Sequence, residues 1–196
     1  MRIIAGKYRR RKLQANPGLV TRPIIDRVKE CLFENISQRV TNSRVADIFA
    51  GTGTIGLEAL SRGARCVTFI EKDRVAVDLL KQNIETLGCD EETLVWPADI
   101  FRCSFKPKGE KAEPFAPFDL IFFDPPYAMV PQMVEGSPLW KAVLRLTKPD
   151  VSADHATLVL RVPEHAKYDW PEDWKIDWSL DMANMQIHVC TLQRGA

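Results

Sequence analysis

Asp124, Pro125 and Tyr127 belong to a run, Asp124-Pro125-Pro126-Tyr127, that can do chemistry on a flat nitrogen base. Two consecutive prolines lack backbone N–H donors and have fixed φ, so they cannot extend a sheet. The first also keeps Asp124 out of helical geometry. The run follows Phe118-Asp119-Leu120-Ile121-Phe122-Phe123, an apolar stretch that reads as a buried strand. The chain therefore leaves that strand as a stiff extended loop showing a carboxylate, proline carbonyls and an aromatic face. A base can stack on Tyr127 while Asp124 and a proline carbonyl accept both hydrogens of an exocyclic amine. The plainer alternative is that the prolines only end the strand and Tyr127 packs as core.

A second constellation lies upstream. Val45 to Ile48 reads as a short strand, and a helix begins near Thr54. Between them, Gly51, Gly53 and Gly56 match G-x-G-x-x-G in the strand-to-helix context that gives the motif meaning. The next strand, Cys66 to Ile70, ends on Glu71, 20 residues after Gly51, where an acid can take two ribose hydroxyls. Ala50, Gly51, Thr52 and Gly53 would supply the backbone of a cofactor loop. The alternative is a tight turn beside a solvated strand end.

Two cofactors compete for this loop. A dinucleotide needs the helix N-terminus for its pyrophosphate. S-adenosylmethionine carries no phosphate but a cationic sulfonium, an amino-acid end, a ribose and an adenine. Asp47, four residues before Gly51, can face that cationic end or bond the loop's own amides. Asp99, after the third strand, can accept the adenine amine or cap its loop. Acids around a cationic ligand make electrostatic sense; around a pyrophosphate they do not.

Asp47-x-Phe49-Ala50-Gly51-Thr52-Gly53, Glu71, Asp99 and Asp124-Pro-Pro-Tyr127, in this order, resemble Rossmann-like S-adenosylmethionine-dependent methyltransferases that act on exocyclic amines. Met1-Arg2-Ile3-Ile4-Ala5-Gly6-Lys7-Tyr8-Arg9 and the stretch Arg22 to Phe33 narrow the resemblance. They are similar to the bacterial 16S rRNA guanine-N2 methyltransferases of the RsmD type. The resemblance is specific to about residue 127 and loose beyond it. It implies an α/β, class I methyltransferase fold: a mostly parallel twisted sheet with helices on both faces and a reversed final strand. It also implies that the partner is small-subunit ribosomal RNA or an assembling 30S particle. The Arg102–Pro117 segment departs from the family by being longer and more polar.

Composition limits the alternatives. Net charge is only +1, but residues 1–44 hold 11 Lys or Arg against 3 Asp or Glu, a balance of +8, leaving −7 for the remainder. A basic arm beside an acidic body suggests nucleic acid. Lys7, Arg9, Arg10, Arg11 and Lys12 form its densest part, in two short strands about an Ala5-Gly6 turn. Arg22 and Arg27 either place the RNA backbone or form surface ion pairs. Such cations bind phosphates without choosing sequence. Five cysteines, odd in number and without a Cys-x-x-Cys pair, argue against a disulfide framework and against zinc. Cys31 and Cys66, among apolar neighbours, read as packing residues. Reduced thiols, no signal peptide and no membrane-length apolar run suit a cytoplasmic protein, expected to be a monomer without metal.

The chain reads as a single domain of 196 residues, with a basic hairpin over 1–22 and a catalytic core over 23–196. Ile25, Val28, Leu32 and Ile36 predict one helix from Ile25 to Val40. Further helices fit Thr54 to about Arg62, the stretch after Glu71 up to Gly88, and Pro138 to Leu146. Thr93 to Trp96 and His155 to Val162 read as strands, and Trp174–Leu180 with Gln186–Leu192 as a final pair. Arg102 to Pro117 reads as a surface loop. Three rivals remain: methylation of DNA adenine or protein glutamine, a nicotinamide dehydrogenase, and a non-catalytic RNA-binding module.

Overall fold

A computed structural model describes residues 1–15 and 25–194. Seven strands form one sheet: β1 (Arg44–Ile48), β2 (Cys66–Glu71), β3 (Thr93–Pro97), β4 (Phe118–Phe123), β5 (Ser152–Pro163), β6 (Trp174–Met182) and β7 (Met185–Leu192). Their order is β3-β2-β1-β4-β5-β7-β6. The first five run parallel, and β7 lies antiparallel to both β5 and β6. The chain steps outward from β1 to β2 to β3, then returns to pair β4 with the other side of β1. That reversal opens a crevice beyond the carboxyl ends of β1 and β4, where ligands of open α/β sheets bind.

Side chains alternate across the sheet. Leu120 and Phe122 pack on one face with Phe33, Leu57 and Phe69. Ile121 and Phe123 pack on the other with Leu139, Val143 and Trp174. Helices α1 (Asp26–Asn35), α2 (Ser37–Val40), α3 (Thr54–Ser61), α4 (Arg74–Leu87) and α5 (Pro138–Arg145) complete the layers. Local chemistry sets their ends. Asp73 accepts the Ala76 N–H at the start of α4, and Gly88, at φ 64°, closes it. Ser137 accepts the Trp140 N–H and Pro138 opens α5. Ala183 and Asn184, both at positive φ, make the two-residue turn that joins β6 to β7.

Three expectations are corrected. The helix predicted from Ile25 breaks at Ile36, whose φ of −103° and ψ of 11° leave helical geometry. Ile25 itself is extended and half exposed rather than on the buried face. The segment 102–117 is no mere surface loop: Cys103, Phe105, Ala112 and Phe115 are buried, and Glu110–Phe115 forms a 3₁₀ helix. Its apolar residues follow neither helical nor strand spacing, so no periodicity announces them. The basic hairpin is wider than an Ala5-Gly6 turn. Ile3 and Arg11, then Ile3 and Arg10, pair through backbone bonds, and Leu13 donates to Met1. Thr21, Arg22 and Pro23 lie outside the described residues.

Candidate active site

β1 delivers the chain into the glycine loop. Phe49, Gly51 and Gly53 all have positive φ. The non-glycine Phe49 holds a sparsely populated backbone state, as residues at functional sites often do. Gly53 permits the turn and a close approach: a Cβ there would lie 2.4 Å from Leu80. The Gly53 N–H donates to the Ala50 carbonyl, and the Ala50 N–H to Ile70. The loop is thereby tied to β2.

Glu71 braces the same loop. Its Oε2 accepts the Gly51 N–H at 2.9 Å, and its Oε1 accepts those of Lys72 and Asp73 at 2.8 and 2.9 Å. Oε1 is thus fully used, whereas Oε2 keeps a lone pair for a ligand hydroxyl. Glu71 lines a cavity of about 590 Å³, together with Ala50, Gly51, Thr52, Asp124, Pro125 and Tyr127. Its size is that of a small-molecule site.

Asp47 does not reach this cavity. It is 1% exposed beneath the loop, and its Oδ2 accepts the Gly56 N–H at 2.9 Å. Burial pushes its carboxyl well above the ordinary range, Asp124 and Glu71 add to the shift, and the Gly56 bond opposes it. A raised native pKa means that the folded protein holds the proton longer than the unfolded chain. Stability from this group is complete below about pH 4 and falls as pH rises through the native pKa. Asp47→Asn is therefore expected to gain stability relative to wild type as pH increases from 4 towards 7, in urea unfolding. Parallel pH curves for the two proteins would exclude a raised pKa.

Asp99 is not brought to the cavity either. Its Oδ1 accepts the Phe101 N–H at 3.0 Å, which makes it a cap of its own turn. It lines a neighbouring depression with Trp96 and Arg102, while Ala98, Ile100 and Phe101 supply the wall of the main cavity.

Asp124 has a partner that sequence reasoning missed. Arg161, from β5, donates through Nε to Oδ1 at 2.7 Å and through Nη2 to Oδ2 at 2.6 Å. The same guanidinium stands 5.7 Å from the centre of the Tyr127 ring. Burial opposes its charge, but Asp124 more than restores it, so the Arg161 pKa lies above its usual value. The available signal was an arginine inside the apolar run Ala156 to Val162, since a buried cation needs a partner. Pro125 is buried and Tyr127 half-buried, so the 3₁₀ turn Tyr127–Gln132 holds the loop against the core.

The basic hairpin reaches the mouth of the cavity, where Met1 forms part of the lining. Lys7 pairs with Glu92, and Arg11 donates to the Thr86 carbonyl, so both tether the hairpin to the body. Arg9, Arg10, Lys12 and, on α1, Arg27 are exposed and form no salt bridge among the described residues. Among those residues there is also no His, Cys, Asp or Glu group arranged for a metal, and no helix long and apolar enough to cross a membrane. The five cysteines are free thiols, four of them buried.

The family model described as "Conserved hypothetical protein 95" matches residues 1–176. The chain belongs to this family. Within the Conserved hypothetical protein 95 match lie the hairpin, the glycine loop, the Asp124–Tyr127 run and Arg161; it stops inside β6. The chain is 40% identical to "Ribosomal RNA small subunit methyltransferase D" of Haemophilus influenzae over 127 residues, 65% of this chain and 64% of that protein. It is 39% identical to the protein of the same name in Escherichia coli K12 over 129 residues, 65% of this chain and 60% of that one. The alignments thus span somewhat less than two thirds of these relatives. The solved structure of the Escherichia coli protein yhhF superimposes with a TM-score of 0.79 at 29% identity, covering 98% of each chain. The fold is that of the Rossmann-like methyltransferases, with the reversed final strand in place.

Proposed function

We propose that this protein transfers a methyl group from S-adenosylmethionine to the exocyclic N2 amine of a guanine in small-subunit ribosomal RNA. One observation carries the reading. A single cavity at the β1/β4 reversal holds the glycine loop and Glu71 together with Asp124, Pro125 and Tyr127. The names of the relatives support RNA of the small subunit as the substrate. Hairpin and sheet act together as a single-domain, cytoplasmic monomer, with the assembling 30S particle as partner.

The residues fit S-adenosylmethionine better than a dinucleotide. Gly56, the third glycine, packs α3 against Phe69 and Val67 of β2, and its amide is held by Asp47 beneath the loop, away from the cavity. Asp124 is paired with Arg161, so Glu71, which forms no salt bridge among the described residues, is the acid in the lining that favours a cationic ligand. The backbone of Ala50 to Gly53 and the free lone pair of Glu71 would hold its amino-acid and ribose parts. Ile70, Ala98, Ile100 and Phe101 would flank the adenine. When bound, the cofactor supplies an electrophilic methyl on a sulfonium.

The protein's own part is orientation and electrostatics. An exocyclic amine is a poor nucleophile because its lone pair is delocalised into the ring. Asp124 and the Pro125 carbonyl accept its two hydrogens and draw the nitrogen towards tetrahedral geometry. Tyr127 stacks on the base, worth about 1–3 kcal/mol. The proton is free to leave after the methyl arrives, so Asp124 need not be a strong base. A paired base must first be turned out, at a cost of a few kcal/mol. Arg9, Arg10 and Lys12, with Arg27, would hold phosphates nearby. A dehydrogenase leaves the Asp124–Tyr127 run without a role, and a passive RNA-binding module leaves the acidic groups at the strand ends without one.

Incubation with methyl-labelled S-adenosylmethionine and unmethylated small subunits tests the reading, with naked RNA, DNA and protein as controls. Label recovered as N2-methylguanine is expected. Label only in DNA or protein would move the substrate and refute the RNA assignment. Glu71→Ala is expected to weaken cofactor affinity about tenfold or more, the loss of a charged hydrogen bond. Unchanged affinity in calorimetry would show that Glu71 braces the loop and nothing else.

A further inference from the structure

We propose that Arg161 is a positioning residue for methyl transfer: its fork fixes the plane of the Asp124 carboxylate that receives the target amine. The proposal rests on the functional reading above. Asp124 leaves β4 one residue after Phe123, which faces Leu160 of β5 across parallel strands. Arg161 follows Leu160, so the ladder register itself sets the two side chains beside each other.

Two bonds, at 2.7 and 2.6 Å, run from one guanidinium edge to the two carboxylate oxygens. One bond would let the carboxylate rotate; two parallel bonds do not. Each oxygen has two lone pairs, and the fork uses one on each. A lone pair therefore remains on either oxygen to accept an amine hydrogen, in a plane already chosen. The side chains are only 12% and 15% exposed, so water competes weakly for either partner. Because the guanidinium also borders the Tyr127 ring, one side chain braces the hydrogen acceptor and the stacking surface together. Its charge further offsets the acids Asp47 and Asp124. A lysine would supply the charge but not the fork.

The test compares wild type with Arg161→Lys, which keeps the charge, and Arg161→Gln, which keeps a polar side chain without it. Turnover is measured with labelled S-adenosylmethionine and unmethylated small subunits. Calorimetry with S-adenosylhomocysteine gives affinity and the fraction of loaded sites. Both variants are expected to bind S-adenosylhomocysteine with wild-type affinity and to keep the KM for the subunit, with turnover counted per loaded site because the broken pair also costs stability. Their kcat should fall about 100-fold or more, as misplacement of a reacting group by an ångström can cause. A merely structural role would lower the loaded fraction in step with turnover. Arg161→Lys turnover within about tenfold of wild type would overturn the proposal. So would loss of S-adenosylhomocysteine binding in both variants, which would make Arg161 part of the cofactor scaffold. A wild type idle on every RNA would sink the functional reading and this role with it; an active wild type beside an active Arg161→Lys would sink this role alone.

Discussion

Asp124→Ala is expected to lower methyl transfer about 100- to 1,000-fold while the glycine loop still binds cofactor. In the proposed mechanism alanine removes the acceptor that would orient the amine, and nothing else in the Asp124–Tyr127 run carries a carboxylate. It also removes the Asp124 half of the bidentate pair with the mostly buried Arg161 guanidinium. Breaking a buried pair in this way costs about 3–5 kcal/mol. Stability must therefore be followed beside activity. Asp124→Asn separates the two effects, because it keeps one acceptor oxygen and removes the charge. Single-turnover transfer of labelled methyl, with S-adenosylhomocysteine calorimetry on the same preparations, makes the measurement. Asp124→Ala turnover within about tenfold of wild type would remove Asp124 from the chemistry.

Glu58→Ala is expected to lower stability by a similar amount, again about 3–5 kcal/mol. That is a large part of the roughly 5–15 kcal/mol that holds a domain folded. Glu58 is fully buried in α3. Its Oε1 accepts from Arg62 at 2.8 Å, and its Oε2 lies 3.2 Å from the Lys29 ammonium, itself buried. The same carboxylate accepts the Ile4 and Ala5 N–H groups at 2.8 and 3.1 Å. Lys29 then donates to the Arg2 carbonyl at 2.8 Å. Alanine would leave an ammonium and two amides to find other partners at the base of the hairpin. Urea unfolding should show a lower midpoint, and trypsin should cut sooner at Arg9, Arg10 and Arg11. Glu58→Gln, which keeps an acceptor, should fall between. An unchanged midpoint in Glu58→Ala would show that water or side-chain movement replaces the network. Because the hairpin begins at the cavity mouth, its loosening should also reduce RNA binding more than cofactor binding.

Much of this architecture follows from short-range rules that act within a few residues. The glycine loop, the Asp73 and Ser137 caps, the Gly88 stop and the strand broken by Pro125 and Pro126 each depend on neighbours in the chain. Alternating and helical spacing placed the strands and helices for the same reason. The hidden parts obey no local rule. Phe105 and Phe115 are buried by whatever packs over them, so their segment read as polar surface. Asp47 and Asp99 have types and positions that fit a ligand, but geometry turned both towards backbone amides. Asp124 and Arg161 are 37 residues apart, and Ile4 and Glu58 are 54 apart. The sequence by itself determined the order of elements, the two motifs and the basic arm, because those depend on bond geometry, φ preference and local charge. Only the tertiary structure decided which acids line the cavity, which cation holds Asp124 and how the arm is anchored. Those pairings depend on strand register and burial, which bring distant residues together without leaving a local mark.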